Sequence, residues 1–107
     1  MVVLKNEIWM ANFSPSRGTE INKIRPCIVI SPDLANQALP NIIVAPLTST
    51  IKNYPSRVNC NFKKRDGQVM IDQIRTIDKR RLIKHIYQLS DEEYGRVATH
   101  FYTLYKI

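Results

Sequence analysis

"RPCIVIS", Arg25 to Ser31, is apolar at odd and even positions alike once past its arginine, and it is rich in β-branched residues. A run this short, bounded by turn-forming residues, reads as a strand covered on both faces, a central strand of a sheet. Pro26 can occupy only its first rung, because proline has no N–H to give to a ladder. A second run of the same kind, "NIIVAPL" from Asn41 to Leu47, follows after "SPDLANQ". That intervening piece reads as a short helical turn, with Ser31 placed to cap it and Pro32 at its first position.

Working outward, "EIWMANF" alternates, with Trp9, Ala11 and Phe13 on one face, and it ends in the turn cluster "SPSRG". "NIIVAPL" leads into the polar loop "TSTIKNYPS". "RVNCNF" alternates again, Val58, Cys60 and Phe62 sharing a face; "KKRDG" then reads as a basic hairpin turn and "QVMID" as the returning strand. The last piece is helical. Ser90 and Glu93 form a capping box, Asp91 and Glu92 put negative charge in the first turn, and Tyr94, Val97, Ala98, Phe101, Leu104 and Tyr105 recur at three- and four-residue spacing. Five or six short strands followed by one helix predict a mostly β domain over residues 1–107, a strongly bent sheet or β-barrel with the helix packed on one side.

Hydrophobic residues make up 44% of the 107 and charged residues 23%, the balance of an ordinary globular protein. The longest apolar runs fall far short of the ~20 residues of a membrane helix, and "MVVLKNEIW" is too soon interrupted by charge to be a signal peptide. A cytoplasmic location with no membrane partner is expected. Cys27 and Cys60 form no CxxC and have no His or Cys spaced for zinc, so two reduced, structural thiols and no metal or cofactor are expected. Sixteen Lys and Arg against nine Asp and Glu leave a net charge of +7. Half of those bases fall between Lys63 and Lys84, the footprint of a protein that meets polyanions, or of a solvated surface.

Polar residues gather at strand ends and in two loops: Arg17, Thr19 and Glu20; Arg25; Thr48 and Ser49; Asp72, Gln73 and Arg75. Neighbouring strand ends of a barrel converge in space, so one polar patch is expected. Guanidinium forks suit phosphate, and with hydroxyl donors and carboxylates they match the needs of RNA cleavage by its own 2′-hydroxyl: a proton acceptor, a proton donor, and donors to the phosphorane-like transition state. On residue types alone this is one option among several.

Five motifs in order, "EIWMANFSPSRGTE", "RPCIVIS", "VAPLTST", "YPSRV" and "DQIRTIDKRRL", resemble the MazF/PemK-like toxins of bacterial type II toxin-antitoxin pairs. The resemblance implies an SH3-like barrel with a C-terminal α-helix, the MazF/PemK/CcdB-like toxin fold, in a homodimer. It implies a sequence-specific, metal-independent endoribonuclease, an mRNA interferase acting on single-stranded RNA, blocked by a cognate antitoxin protein with which it binds DNA. Carried over by motif, Arg25 and Thr48 match the family's catalytic arginine and threonine, Glu20 in "RGTE" matches an acidic residue that holds Arg25 or accepts the proton, and Asp72 lies where some members have an acidic base. Members that use this Asp also have an arginine two residues earlier, where this chain has Met70. Arg25 with Thr48 is therefore the preferred pair.

Around that pair, Arg17, Thr19, Ser49, Tyr54, Arg57, Gln73 and Arg75 are the candidate RNA-binding residues. Tyr54 is the aromatic placed to stack on a base. Within "IDQIRTIDKRRL" the resemblance divides the charges: Asp72, Gln73 and Arg75 go to the site, while Asp78 and Arg80 form salt bridges that fix the next turn or the dimer edge. His85 and His100 read as structural, and Trp9, Tyr94 and Tyr105 as core-facing. Two other classes stay open: a gyrase-binding toxin of the CcdB type without nuclease activity, and an RNA-binding module that does not cut.

Overall fold

The computed structural model describes residues 1–14 and 23–106, the side chain of Phe62 excepted. Its strands are β1 (Glu7–Asn12), β2 (Ile24–Val29), β3 (Asn41–Thr48), β4 (Arg57–Phe62), β5 (Arg65–Met70), β6 (Arg75–Asp78) and β7 (Leu82–Gln88). Helix α1 (Asp33–Ala38) lies between β2 and β3, helix α2 (Asp91–Tyr105) closes the chain, and 3-10 turns at Ile71–Gln73 and Lys79–Arg81 flank β6. The strands run in the order β4-β5-β3-β2-β1-β7, with β6 beside β3. All pairings are antiparallel.

Strand β3 is the spine. One of its edges pairs with β2; the other is shared, residues 41–44 pairing with β6 and Leu47 and Thr48 with β5. The two apolar central runs of the sequence are these strands, and both faces of the sheet carry a core, as their pattern requires. On one face lie Trp9, Ala11, Phe13, Cys27, Val29, Ile42 and Val44; on the other Ile8, Ile28, Ala45, Leu47, Val69 and Ile71. Register shifts between Ile8 and Trp9 and between Met10 and Ala11 mark irregular rungs where β1 meets β7, and bulges of this kind bend a sheet. Helix α2 covers the second face with Tyr94 and Val97. Its capping box is formed in both directions: Glu93 N–H donates to Ser90 Oγ at 3.1 Å, and Ser90 N–H to Glu93 Oε1 at 2.9 Å.

Four local expectations are corrected. The N-cap of α1 is Pro32, without a side-chain cap bond; the Ser31 hydroxyl donates to Asn36 Oδ1 at 2.5 Å and accepts from Ile43 N–H, tying the helix to β3 instead. The hairpin turn is Lys63–Lys64 alone, both at positive φ (51° and 62°), as a two-residue turn requires, so Arg65, Asp66 and Gly67 belong to β5. The described residues form seven strands, because "IRTIDKRRLIKHIY" holds β6 and β7. Tyr105 is 43% exposed, though its hydroxyl still donates to the Ile71 carbonyl.

Asp78 accounts for part of the charge in that stretch. Its carboxylate accepts from Arg80 N–H at 2.8 Å and pairs with the Arg80 guanidinium at 3.0 Å, capping the second 3-10 turn. Those bonds to Arg80 hold the Asp78 carboxyl below the usual carboxylate range, with a pKa of about 2.

Candidate active site

Arg25 stands at the second rung of β2 and Thr48 at the last rung of β3, 23 positions later in the chain. Antiparallel pairing of Cys27 with Pro46 brings the two ends side by side. Arg25 Nη1 donates to Thr48 Oγ1 at 3.3 Å, and Thr50 N–H donates to the same oxygen at 3.1 Å. A hydroxyl has two acceptor positions and one proton. With both acceptor positions filled, the Thr48 proton is left to be donated elsewhere. The Nε of Arg25 is buried and has no hydrogen-bond partner among the described residues. A buried, unpartnered donor on a charged group asks for an acceptor, and an anion entering beside Thr48 supplies one.

The two residues open on a cleft of about 390 Å³ whose polar lining also includes Lys23, Ser49, Arg65 and Asp66. Three cations face one carboxylate there. Gly67 makes the floor possible: a Cβ at this position would stand 2.8 Å from the Thr48 carbonyl oxygen, so β5 can approach the end of β3 only without a side chain.

A second cluster lies outside the lining of this cleft. Asp72, in the first 3-10 turn, stands 3.4 Å from Arg57 Nε, and the Arg57 guanidinium lies 5.1 Å from the centre of the half-exposed Tyr54 ring. The ladder explains the pairing. Arg57 is opposite Met70 on β5, so the arginine that Met70 does not provide to Asp72 comes across from β4. Gln73 sits in the same turn, and Arg75 lies over the Phe13 ring at 5.7 Å. The structure thus brings Arg25, Thr48 and Ser49 together and holds Tyr54, Arg57 and Asp72 as a separate group. Arg17, Thr19 and Glu20 fall outside the described residues.

The other reactive groups are accounted for elsewhere. Burial pushes the Cys27 thiol up to about 12 and raises Cys60 as well, and both cysteines are free. His85 Nε2 is 3.2 Å from Glu7 Oε2, and its ring meets Trp9 edge-on. Glu7 in turn accepts from Leu4 N–H at 2.7 Å and Trp9 Nε1 at 3.0 Å, which makes it a buried structural hub. His100 bonds to the Pro55 carbonyl. Among the described residues no cluster of His, Cys, Asp and Glu is arranged to hold a metal ion.

Sequence reasoning missed Lys23, Arg65, Asp66 and Gly67. "KKRDG", expected as a hairpin turn, places its second half in a strand beside Thr48, and the positive-φ tolerance needed at two lysines left no glycine signal at the turn itself.

A small, mostly β protein with a cationic cleft built on an arginine–hydroxyl pair has the makings of a phosphodiester-handling site. The chain belongs to the family of PemK-like, MazF-like toxins of type II toxin-antitoxin systems, whose family model matches residues 5–105. Endoribonuclease EndoA of Bacillus subtilis (strain 168) is 37% identical over 103 residues, covering 91% of this chain and 89% of that protein. MazF from Deinococcus radiodurans superposes with a TM-score of 0.87 at 26% identity, over 100% of this chain and 99% of that one. A mycobacterial endoribonuclease in complex with its cognate antitoxin has the same fold, with a TM-score of 0.81 at 17% identity and 98% and 96% coverage. The mostly β architecture with its C-terminal helix is that of the MazF structures. No helix among the described residues is long and apolar enough to cross a membrane.

Proposed function

We propose that this protein is the toxin of a type II toxin-antitoxin pair and acts in the cytoplasm as a sequence-specific, metal-independent endoribonuclease on single-stranded RNA, with residues 1–107 as one toxin domain and no cofactor. The observation that carries this reading is the Arg25–Thr48 contact at 3.3 Å, with Arg25 Nε beside it buried and without a partner among the described residues. Cleavage by the 2′-oxygen forms a bond from that oxygen to phosphorus and breaks the bond to the 5′-oxygen. The products are a 2′,3′-cyclic phosphate and a 5′-hydroxyl.

Negative charge grows on the non-bridging oxygens as the attack proceeds. Arg25 meets it with a fixed guanidinium in a site narrowed by Gly67, and Thr48, its lone pairs already engaged, donates its proton toward a phosphoryl or leaving oxygen. A guanidinium has five N–H donors and no acceptor, so it is a poor proton acceptor and a carboxylate takes the 2′ proton. Asp66 lines the cleft, Asp72 stands outside its lining against Arg57, and Glu20 is the acidic candidate of the "RGTE" motif. The base is the one whose replacement by its amide removes the acidic limb of the pH–rate profile.

RNA binding falls to Arg17, Thr19, Ser49, Tyr54, Arg57, Gln73 and Arg75, with Tyr54 offering a half-exposed ring for stacking. The cognate antitoxin acts by covering the same cleft. A homodimer belongs to this reading, supported by the exposed Ile43 on β3 and Ile83 on the edge strand β7.

The test is incubation of the purified protein with a long single-stranded RNA in EDTA beside Arg25→Ala, with fragment ends mapped. Discrete fragments ending in a cyclic phosphate, absent with the variant, are expected. RNA bound but intact would refute the nuclease reading.

A further inference from the structure

Gln68 is a polar residue in the apolar middle of β5, only 3% exposed, and the mechanism above does not use it. Two of its three side-chain hydrogen bonds go to one loop residue. Nε2 donates to the Lys52 carbonyl at 3.0 Å, while Oε1 accepts from Lys52 N–H at 3.0 Å. An amide presents a donor and an acceptor in one plane, which is what a backbone rung presents. Gln68 therefore serves Lys52 as a missing strand partner. The second Nε2 proton goes to Asn59 Oδ1 at 2.9 Å, directly opposite on β4, and this fixes which way the amide faces.

The tether matters because nothing apolar replaces it. Residues 49–55 are all exposed, Ile51 at 58%, and residues 51–54 have no regular structure. Among the described residues, the 49–52 turn is held by two devices, the Thr50 N–H on Thr48 Oγ1 and the Gln68 amide on Lys52. Gln68 also pairs with Thr48 across the ladder, so both ends of the turn are anchored at one rung.

We infer that Gln68 is a positioning residue for Thr48: by holding Lys52 it keeps Thr50 N–H on one lone pair of the Thr48 hydroxyl, so that the hydroxyl proton faces the cleft. Without the amide the turn is free to lift, Thr50 leaves, and the hydroxyl can rotate to give its proton to the turn's own carbonyls. This inference rests on the nuclease reading. It predicts that Gln68 affects the chemical step through Thr48 and leaves the RNA track largely intact.

The test is a double-mutant cycle of Gln68→Met, which keeps length and loses both polar functions, against Thr48→Val, read as single-turnover cleavage of one RNA. Gln68→Glu, which keeps the acceptor and loses the donor, is run beside it. Gln68→Met should slow cleavage by about tenfold to a hundredfold with little change in the RNA concentration for half-saturation. In the Thr48→Val background the same change should add less than about twofold. Multiplying losses, or Gln68→Met cutting at the wild-type rate, would overturn the inference. If circular dichroism shows Gln68→Met unfolded, the same cycle with Gln68→Glu decides by the same criteria. Failure of the underlying reading looks different: wild-type protein would not cut, or Thr48→Val would cut as fast as wild type.

Discussion

Replacing Thr48 by valine removes one oxygen and leaves the β-branched shape of the strand end in place. Two quantities then move by different amounts. In the resting protein, Arg25 Nη1 and Thr50 N–H lose their shared acceptor, and since Thr48 is 8% exposed, solvent compensates only in part. At ~0.5–1.5 kcal/mol for each bond, the loss is about 1–3 kcal/mol in all. For a domain of this size that lowers the melting temperature by roughly 5–20 °C. Against a total stability of about 5–15 kcal/mol, such a variant is still folded at assay temperature. In the transition state, one donor to developing charge is gone, a loss of about a hundredfold to a thousandfold in kcat. The folded fraction cannot account for that. The assay is single-turnover cleavage of an oligoribonucleotide containing the mapped site, with thermal melting of the same preparations and Thr48→Ser as the hydroxyl-retaining control. Thr48→Val cutting within about fivefold of wild type while melting lower would refute the donor role and reduce the contact to a structural one.

Two further outcomes follow from the fold. Gly67→Ala puts a methyl 2.8 Å from the Thr48 carbonyl oxygen, so β5 and β3 must part; a destabilisation of about 1–3 kcal/mol and a fall in cleavage larger than the melting shift explains are expected, and unchanged cleavage would show that the cleft tolerates the displacement. Asp78→Ala removes the cap and ion partner of the Lys79–Arg81 turn. The Asp78 carboxyl is held below its ordinary value, at about 2, so its contribution is present above the unfolded-state value of 3.8 and fades as pH falls through about 2. The melting gap between wild type and variant should therefore be full at about pH 5 and above and close on further acidification; a constant gap would sever it from the carboxylate.

The central strands were legible because an apolar run on both faces has few other uses, and helix α2 because its capping box and spacing are local. Ser31 misled for a local reason: a serine before Pro-Asp has the right position for a cap, and only the approach of Asn36 and Ile43 draws its hydroxyl away. "KKRDG" misled because its turn contains no glycine at the positive-φ positions, so the glycine inside β5 was assigned to the turn. Arg25 and Thr48 were recognised from ordered motifs. Nothing local marks them, since 23 residues separate them and neither pattern implies the other.

By itself the sequence determined the identities that local physics can read: which segments are strands, where the final helix starts, that the surface is cationic, and which family the ordered motifs resemble. The tertiary structure decided what those groups meet. Ladder register set Arg25 against Thr48, put Asp66 and Gly67 in the cleft, gave Asp72 its arginine from β4 and gave Gln68 the backbone of Lys52. Strand pairing joins residues far apart in the chain, and a shift of one rung would turn every one of these side chains to the opposite face.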